Sequence, residues 1–319
     1  MRSVSGVSGI KMHGEDGDEI WCLRVAKKHA EEARRDLIAR ELLDRAHRPR
    51  AEGDDLLLPL LEETAGAEKA AFAAFPRREE LPRHELVGGI AILLEEDNEG
   101  AERVLHSRPS LHTVLYPTSP VEGEFRTREF AVLAGEETTR TVVTEHGHRF
   151  AVDLAHAYFS ARLSTERQRV QSAMREGERV VDMFAGVGPF AISLADQASL
   201  VVAADLNPAA VSLLCENIAM NRKKNVLPML ADAAHLPGIF GRTFDRVIMN
   251  LPMESSHFLS AAFALCRPGG TIHFYALQDE EGKYLDAIRA FPVAEVVERR
   301  VRSYSPAEWH AVYDIVIGE

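Results

Sequence analysis

The segment Val180-Val181-Asp182-Met183-Phe184-Ala185-Gly186-Val187-Gly188-Pro189-Phe190 joins an apolar strand, a glycine-rich turn and the start of an apolar helix. Glycine has no Cβ, so Gly186 and Gly188 let the backbone turn tightly and approach a ligand closely. A helix opening at Pro189 directs unpaired N–H groups at that ligand. Three carboxylates fall at successive strand ends on the same side. Asp182 closes the strand before the turn. Asp205 closes the next one, where it can accept hydrogen bonds from ribose hydroxyls. Asp232, in Leu230-Ala231-Asp232-Ala233, follows a third and can meet an adenine amino group. The pattern Gly186-x-Gly188-x-x-Ala191 with Asp205 also fits a dinucleotide fingerprint, so NAD is the competing ligand. Asp182 would repel a pyrophosphate and attract the cationic amino group of a methionine. A single Asp of this kind is an ordinary loop or cap residue; the three together favour S-adenosylmethionine.

The elements that must position these residues follow from periodicity. From residue 158 strands and helices alternate: helix 164–175, strand 179–183, helix 189–196, strand 200–204, helix 208–221, strands 226–230 and 244–249, helix 255–266, strand 270–275 and helix 281–290. This alternation predicts a parallel sheet covered by helices on both faces. Strands at 293–301 and 310–317 have no helix between them, which predicts an antiparallel pair at or near the sheet edge. Upstream, a strand-like apolar run at 86–93, a helix at 98–107 and further strands at 113–115, 125–133, 140–143 and 149–152 read as an α+β domain. A strand at 20–25, an amphipathic helix at 28–43 and a strand at 56–60 form a small N-terminal α/β unit. The Glu- and Ala-rich stretch after it, ending in Pro76-Arg77-Arg78, reads as a linker or connecting helix. The expected domains are 1–65, 70–156 and 157–319.

Hydrophobic residues make up 46% of the 319 positions, enough for true cores. No run is long and apolar enough to span a bilayer, and the N-terminus lacks the apolar core of a signal peptide. Cys22, Cys215 and Cys266 lie too far apart for a disulfide framework or a zinc site, so a cytoplasmic location is expected. A net charge of −12 points away from nucleic acid. Net charge does not decide a local surface, however. Basic residues cluster at Arg126 and Arg128, at Arg162, Arg167 and Arg169, and at Arg222-Lys223-Lys224. The run Glu145-His146-Gly147-His148 reads as a polar hairpin turn rather than a metal site.

Met249-Asn250-Leu251-Pro252 ends the fourth strand with an Asn-x-Pro turn that resembles those of methyltransferases acting on amino groups or ring nitrogens of nucleobases. Together with Asp182 to Phe190, Asp205-Leu206-Asn207-Pro208 and Tyr158-Phe159-Ser160-Ala161-Arg162-Leu163-Ser164-Thr165-Glu166-Arg167, it is similar to the archaeal and eukaryotic tRNA (guanine-N1)-methyltransferases. That family modifies guanosine 37, just 3′ of the anticodon. Ala161 stands where the family has Pro. The likeness extends to Cys22-Leu23-Arg24-Val25 through Leu42-Leu43-Asp44, like the family's small tRNA-recognition domain, and to Gly123-Glu124-Phe125-Arg126-Thr127-Arg128 in its middle domain.

The resemblance implies a Rossmann-like class I methyltransferase domain, tRNA as partner, a monomer, and Mg²⁺ as an aid. It implies Glu166 as the general base at guanine N1, although a Glu beside two Arg residues is otherwise a solvated ion pair. Arg126, or Arg128 two residues on, would stabilise charge on O6; on a strand both would share a face. Asn250 would orient the guanine and touch the methionine end of the cofactor. Arg167, Asp182, Phe184, Gly186, Gly188, Asp205, Leu206, Asp232 and Ala233 would hold the cofactor; Tyr158, Arg162 and Pro252 would meet the substrate. A sister family transfers an aminocarboxypropyl group in wybutosine synthesis and generally lacks the Arg162…Glu166-Arg167 arrangement. A related methyltransferase of that pathway and an NAD-dependent oxidoreductase are the alternatives.

Overall fold

The computed structural model describes residues 18–75, 80–123 and 125–319, and the chain divides between Glu80 and Leu81 into two compact units. The Pro76-Arg77-Arg78 stretch and the extreme N-terminus lie outside the described residues. In the first unit β1 (Asp18–Ala26) is followed by α1 (Ala30–Ala39), β2 (Arg50–Glu52), β3 (Asp55–Pro59) and β4 (Ala67–Phe72). They form one antiparallel sheet in the order β2-β3-β1-β4. Leu37 of α1 packs with Leu43, Leu58 and Leu60 as its core. The helix is shorter than its pattern predicts, because Glu41 takes a left-handed backbone and Leu43 then bridges to Leu60. The Ala-rich segment expected as a linker or helix is instead β4. The free edge of β1 offers it backbone partners, and Phe72 is buried at its end.

The second unit opens with β5 (His84–Val87), β6 (Ile90–Leu93), α2 (Asn98–Ser107), β7 (Thr113–Pro117) and β8 (Phe130–Gly135), whose strands make a sheet in that order. The run 86–93 is thus a hairpin rather than one strand, turning at Gly88-Gly89. Asp97 caps α2 by accepting from the Gly100 N–H. A hairpin, β9 (Arg140–Glu145) and β10 (His148–Asp153), turns at His146-Gly147, both left-handed, as its polar sequence implies.

The remaining elements are α3 (Ser164–Ser172), β11 (Arg179–Asp182), α4 (Pro189–Leu194), β12 (Leu200–Asp205), α5 (Pro208–Met220), β13 (Val226–Leu230), α6 (Leu236–Phe240), β14 (Phe244–Met249), α7 (Leu259–Leu265), β15 (Cys266–Gln278), α8 (Leu285–Arg289), β16 (Val293–Ser303) and β17 (Trp309–Ile317). Their seven strands run in the order β13-β12-β11-β14-β15-β17-β16. The first five are parallel, and β17 enters antiparallel between β15 and β16. Chain order reverses between β11 and β14, and ligands of open α/β sheets bind beyond the strand ends at such a point.

The strands of this sheet are near-continuous apolar runs because both faces are covered. Phe244, Val247, Ile272 and Phe274 pack on one side; Val180, Val201, Ile248 and Tyr275 pack on the other. Residues upstream of 157 share a core with the sheet's helices: Ile90, Leu115 and Phe150 pack with Val187, Ile192 and Leu213. Fully buried Asn217 of α5 fastens this junction. Its amide accepts from Ala151 N at 2.6 Å and donates to Ala151 O and Val187 O, both at 3.0 Å. No described helix is long and apolar enough to cross a membrane.

Candidate active site

Beyond the C-terminal ends of β11, β12, β13 and β14 lies a cavity whose floor is the glycine turn. Gly186 and Gly188 both have left-handed backbone, at φ of 55° and 92°. The Gly186 N–H donates to Asp205 Oδ2 at 2.7 Å, and Asn207 N–H donates to Oδ1 at 2.9 Å. The turn therefore fixes the Asp205 carboxylate on the cavity wall. Burial raises its pKa, against the pull of these N–H donors. Asn207 caps α5 through Ala209 N and donates to His156 O. At the next strand end Asp232 Oδ1 accepts from Ala234 N at 2.8 Å, presenting Ala231, Asp232 and Ala233 to the cavity. Phe184, edge-on to Phe258 at 5.0 Å, and Leu206 supply apolar wall. Asn250, Leu251 and Pro252 line the far side, with Arg126 and Tyr158.

Two residues expected at the cofactor sit elsewhere. Gly188 does not line the cavity. Its missing Cβ makes room for packing, since a methyl there would lie 2.4 Å from Leu214 Cδ1 of α5. Asp182 is 1% exposed beneath the turn, accepting from the N–H groups of Phe184 and Ala191. Burial pushes its pKa to about 7, and its Oδ1 has no hydrogen-bond partner. Asp182 thus belongs to the packing between β11 and α4, where its charge is not at the cavity surface.

Arg126 and Arg128 do not share a strand, because β8 begins only at Phe130. Arg126 sits in a turn, with left-handed backbone and its N–H on Gly123 O. Its guanidinium lies 5.3 Å from the Tyr158 ring centre, and it lines the cavity. Arg128 lies over Phe130 and faces an adjoining cavity with Arg162, Arg302 and Tyr304. Arg162 does not reach the first cavity; its exposed side chain pairs with Glu85 at 3.0 Å.

Leu163, just before α3, and Arg167, in its first turn, line the cavity. Arg167 is 2% exposed and held by Glu145 through Nε at 2.7 Å and Nη2 at 2.5 Å, and by Ser160 O. Its charge is thereby matched before any ligand arrives. Glu166 flanks this face without lining the cavity. Its Oε1 accepts from Tyr275 Oη at 2.8 Å and from Arg169 Nη2 at 2.6 Å, and Arg169 Nε spans both oxygens at 3.0 Å. Arg169 continues to Asp314 at 2.6 Å, Asp314 to His273 Nδ1 at 2.6 Å, and His273 Nε2 to Arg246 at 2.6 Å. Arg246 closes the chain on Glu178 at 2.7 Å. A guanidinium only donates, so Nε2 of His273 accepts and its proton rests on Nδ1, facing Asp314. Burial and the charges of Arg246 and Arg169 keep His273 below its ordinary pKa. Burial alone would raise Asp314; the donors His273 and Arg169 overcome it and hold the carboxyl well below the usual range.

Glu145, Arg169, Tyr275, Asp314 and His310 belong to this site or its support, and sequence reading did not single out their roles. Each lies inside a regular element, and partners far along the chain, on hairpin, helix and sheet, bring them together. Glu145 was visible, but only as part of a hairpin turn.

A sheet of this order, with a glycine turn after its first strand and an acidic residue ending the second, defines a class I methyltransferase. Residues 141–301 match the TRM5/TYW2 methyltransferase domain and residues 22–68 match the tRNA methyltransferase 5 N-terminal domain. The chain belongs to the TRM5/TYW2 methyltransferase family. It is 37% identical to the tRNA (guanine(37)-N(1))-methyltransferase Trm5b of Pyrococcus abyssi, over 92% of this chain and 97% of that one. A solved complex of aTrm5 with tRNALeu superposes with a TM-score of 0.73 at 32% identity, covering 93% of this chain and 99% of that one. The tRNA(Phe) (4-demethylwyosine(37)-C(7)) aminocarboxypropyltransferase of Methanocaldococcus jannaschii is 33% identical over 73% of this chain and 96% of its own.

The residues fit S-adenosylmethionine. A glycine turn tied to the Asp205 carboxylate, Asp232 with the apolar Leu206, Ala231 and Ala233, and an Asn-x-Pro turn surround one cavity. Among the described residues no group of three or more His, Cys, Asp or Glu could hold a metal ion.

Proposed function

We propose that this chain transfers the methyl group of S-adenosylmethionine to N1 of guanosine 37 in tRNA, acting as a cytoplasmic monomer whose N-terminal domain runs through β4 rather than ending at residue 65. The observation that carries this reading is the cavity itself. The cofactor end, made by Gly186, Asp205 and Asp232, and the nucleobase end, made by Asn250, Pro252, Arg126 and Tyr158, line one continuous space. The match at residues 22–68 to an N-terminal domain of the same family favours methylation over aminocarboxypropyl transfer, because the aminocarboxypropyltransferase relative matches only 73% of the chain.

The bound cofactor supplies an electrophilic methyl carbon on a sulfonium. Asp205 accepts from the ribose, Asp232 from the adenine amino group, and Ala233 offers its N–H to the ring. Guanine N1 carries a proton whose loss places negative charge on O6, so a base and a donor are both required. Glu166 takes the N1 proton. Oε1 already accepts three bonds, whereas Oε2 accepts only from Arg169 Nε, so Oε2 is the oxygen with capacity to spare. Reaching the base requires Glu166 to loosen from Arg169, and the flipped-out guanosine is the group that prompts it. Arg126, rather than Arg128, faces O6, since Arg126 alone of the two lines this cavity. Asn250 holds the guanine edge, Tyr158 stacks on the base, and Pro252 fixes the turn. Arg167 braces the methionine end.

The test is methylation of unmodified tRNA transcripts that carry or lack guanosine 37, with the product nucleoside identified by mass spectrometry. N1-methylguanosine only in the first supports the reading. An aminocarboxypropyl adduct, or methylation at another position, refutes it.

A further inference from the structure

The C-terminal hairpin contributes two cavity-lining residues that the reading above does not use. His310 of β17 and Arg302 of β16 are register partners, and the β16 register shifts between Arg300 and Arg302. A bulge of this kind re-aims a side chain. His310 is 5% exposed, stacked on Tyr304 at 5.5 Å, and its Nε2 has no hydrogen-bond partner. Arg302 Nε is likewise buried and unpartnered. An orphaned buried polar atom costs about 1–3 kcal/mol, so two on register-paired residues in a cavity wall mark groups that a ligand completes.

The chemistry of that ligand follows from the neighbours. Burial, then Arg302 and Arg126, lower the pKa of His310 to about 4, so its imidazole is neutral at physiological pH. Taking a proton would set an imidazolium among two guanidinium groups, which repel it. A neutral imidazole has one N–H and one lone pair; in the tautomer with the N–H on Nε2, His310 donates toward an acceptor where negative charge grows. Guanine presents acceptors O6 and N7 on one edge; adenine places an amino donor where O6 would be.

Resting on the methyl-transfer reading, we propose that His310 is a contact of the target base: its Nε2–H donates to the O6/N7 edge of the guanine, opposite Arg126, with Arg302 supplying positive charge beside it. His310 is thus a second donor to the oxygen that gains charge as N1 loses its proton, and it favours guanine over adenine.

Three variants test this. His310→Phe keeps a ring against Tyr304 and removes the donor. His310→Asn is too short to place an N–H at the Nε2 position. His310→Gln carries an amide N–H there. Single-turnover methyl transfer to the guanosine 37 transcript, at saturating cofactor and tRNA, should slow roughly a hundredfold in the Phe and Asn variants. It should stay within about tenfold of wild type in the Gln variant, with thermal melting and tRNA affinity little changed. Because Phe and Asn differ in shape, one that fails to fold leaves the other to decide. Wild-type rates in the folded donor-less variants, or a Gln variant as slow as they are, overturn the assignment. Failure of the wild-type chain to methylate N1 would instead sink the functional reading and this contact with it.

Discussion

Glu166 and Arg169, one helical turn apart in α3, are locked in a forked ion pair at 2.6 to 3.0 Å. Arg169 is also bound to Asp314 of β17, the strand that carries His310. The proposed base is therefore tied through one guanidinium to the last strand of the sheet. Presenting this carboxylate to a base in the cavity therefore means parting it from Arg169 or swinging the pair together.

Replacing Glu166 by Ala should leave cofactor and tRNA binding within a few-fold of wild type but slow single-turnover methyl transfer by at least about a hundredfold. The loss should be largest at lower pH, where deprotonated guanine is scarcest. An unchanged rate would remove Glu166 from the mechanism.

The cofactor assignment can be checked on binding alone. S-adenosylmethionine at a hundred times its Kd should raise stability by about 2.7 kcal/mol, seen as a thermal shift. NAD should give none. Asp205→Ala removes the acceptor that the glycine turn holds, and should weaken S-adenosylmethionine binding by roughly ten- to a hundredfold. Stabilisation by NAD alone would reverse the conclusion.

Gly188→Ala should destabilise the second unit. The substitution forces a left-handed backbone on a residue with a Cβ and sets that carbon 2.4 Å from Leu214 Cδ1. A cost of about 1–3 kcal/mol in urea unfolding is expected. A neutral result would mean that α4 and α5 can separate freely.

Stability should fall in acid with a sign set by Asp314 and His273. Both folded pKa values lie below the unfolded ones, so the unfolded chain binds more protons. Their contribution is complete at neutral pH. It declines as pH drops below about 6.5 for His273 and below about 4 for Asp314. Asp314→Asn should lower the urea midpoint at pH 7, because Arg169 loses a partly buried partner, and should flatten the slope below pH about 4. A slope identical to wild type would contradict the proposed charge chain.

Affinity for tRNA should drop steeply with salt despite the net charge of −12. Arg126, Arg128, Arg162 and Arg302 surround the cavity beside the active site, a local basic face with aromatic side chains interleaved. Arg128→Met should reduce the slope of log affinity against log salt by about 1, without altering which nucleotide is methylated. Binding that is insensitive to salt would show that this face does not meet phosphate.

The sequence by itself was enough for the alternating sheet and its antiparallel final pair, for the turn at Gly186, and for Asp205, Asp232 and Asn250 on one side. These are local signals: apolar periodicity, glycine spacing, and residues a few positions from a strand end. The tertiary structure decided what depends on partners distant in the chain. It turned the Ala-rich segment into β4, because β1 had an open edge, and it drew Asp182 beneath the turn and out of the cavity. It separated Arg126 from Arg128 by bending the chain at a left-handed residue. It also bound Glu166 to Arg169 and Tyr275, and set His310 beside Arg302. A side chain's type announces what it can donate or accept; which groups it meets is settled only when strands from far along the chain lie next to one another.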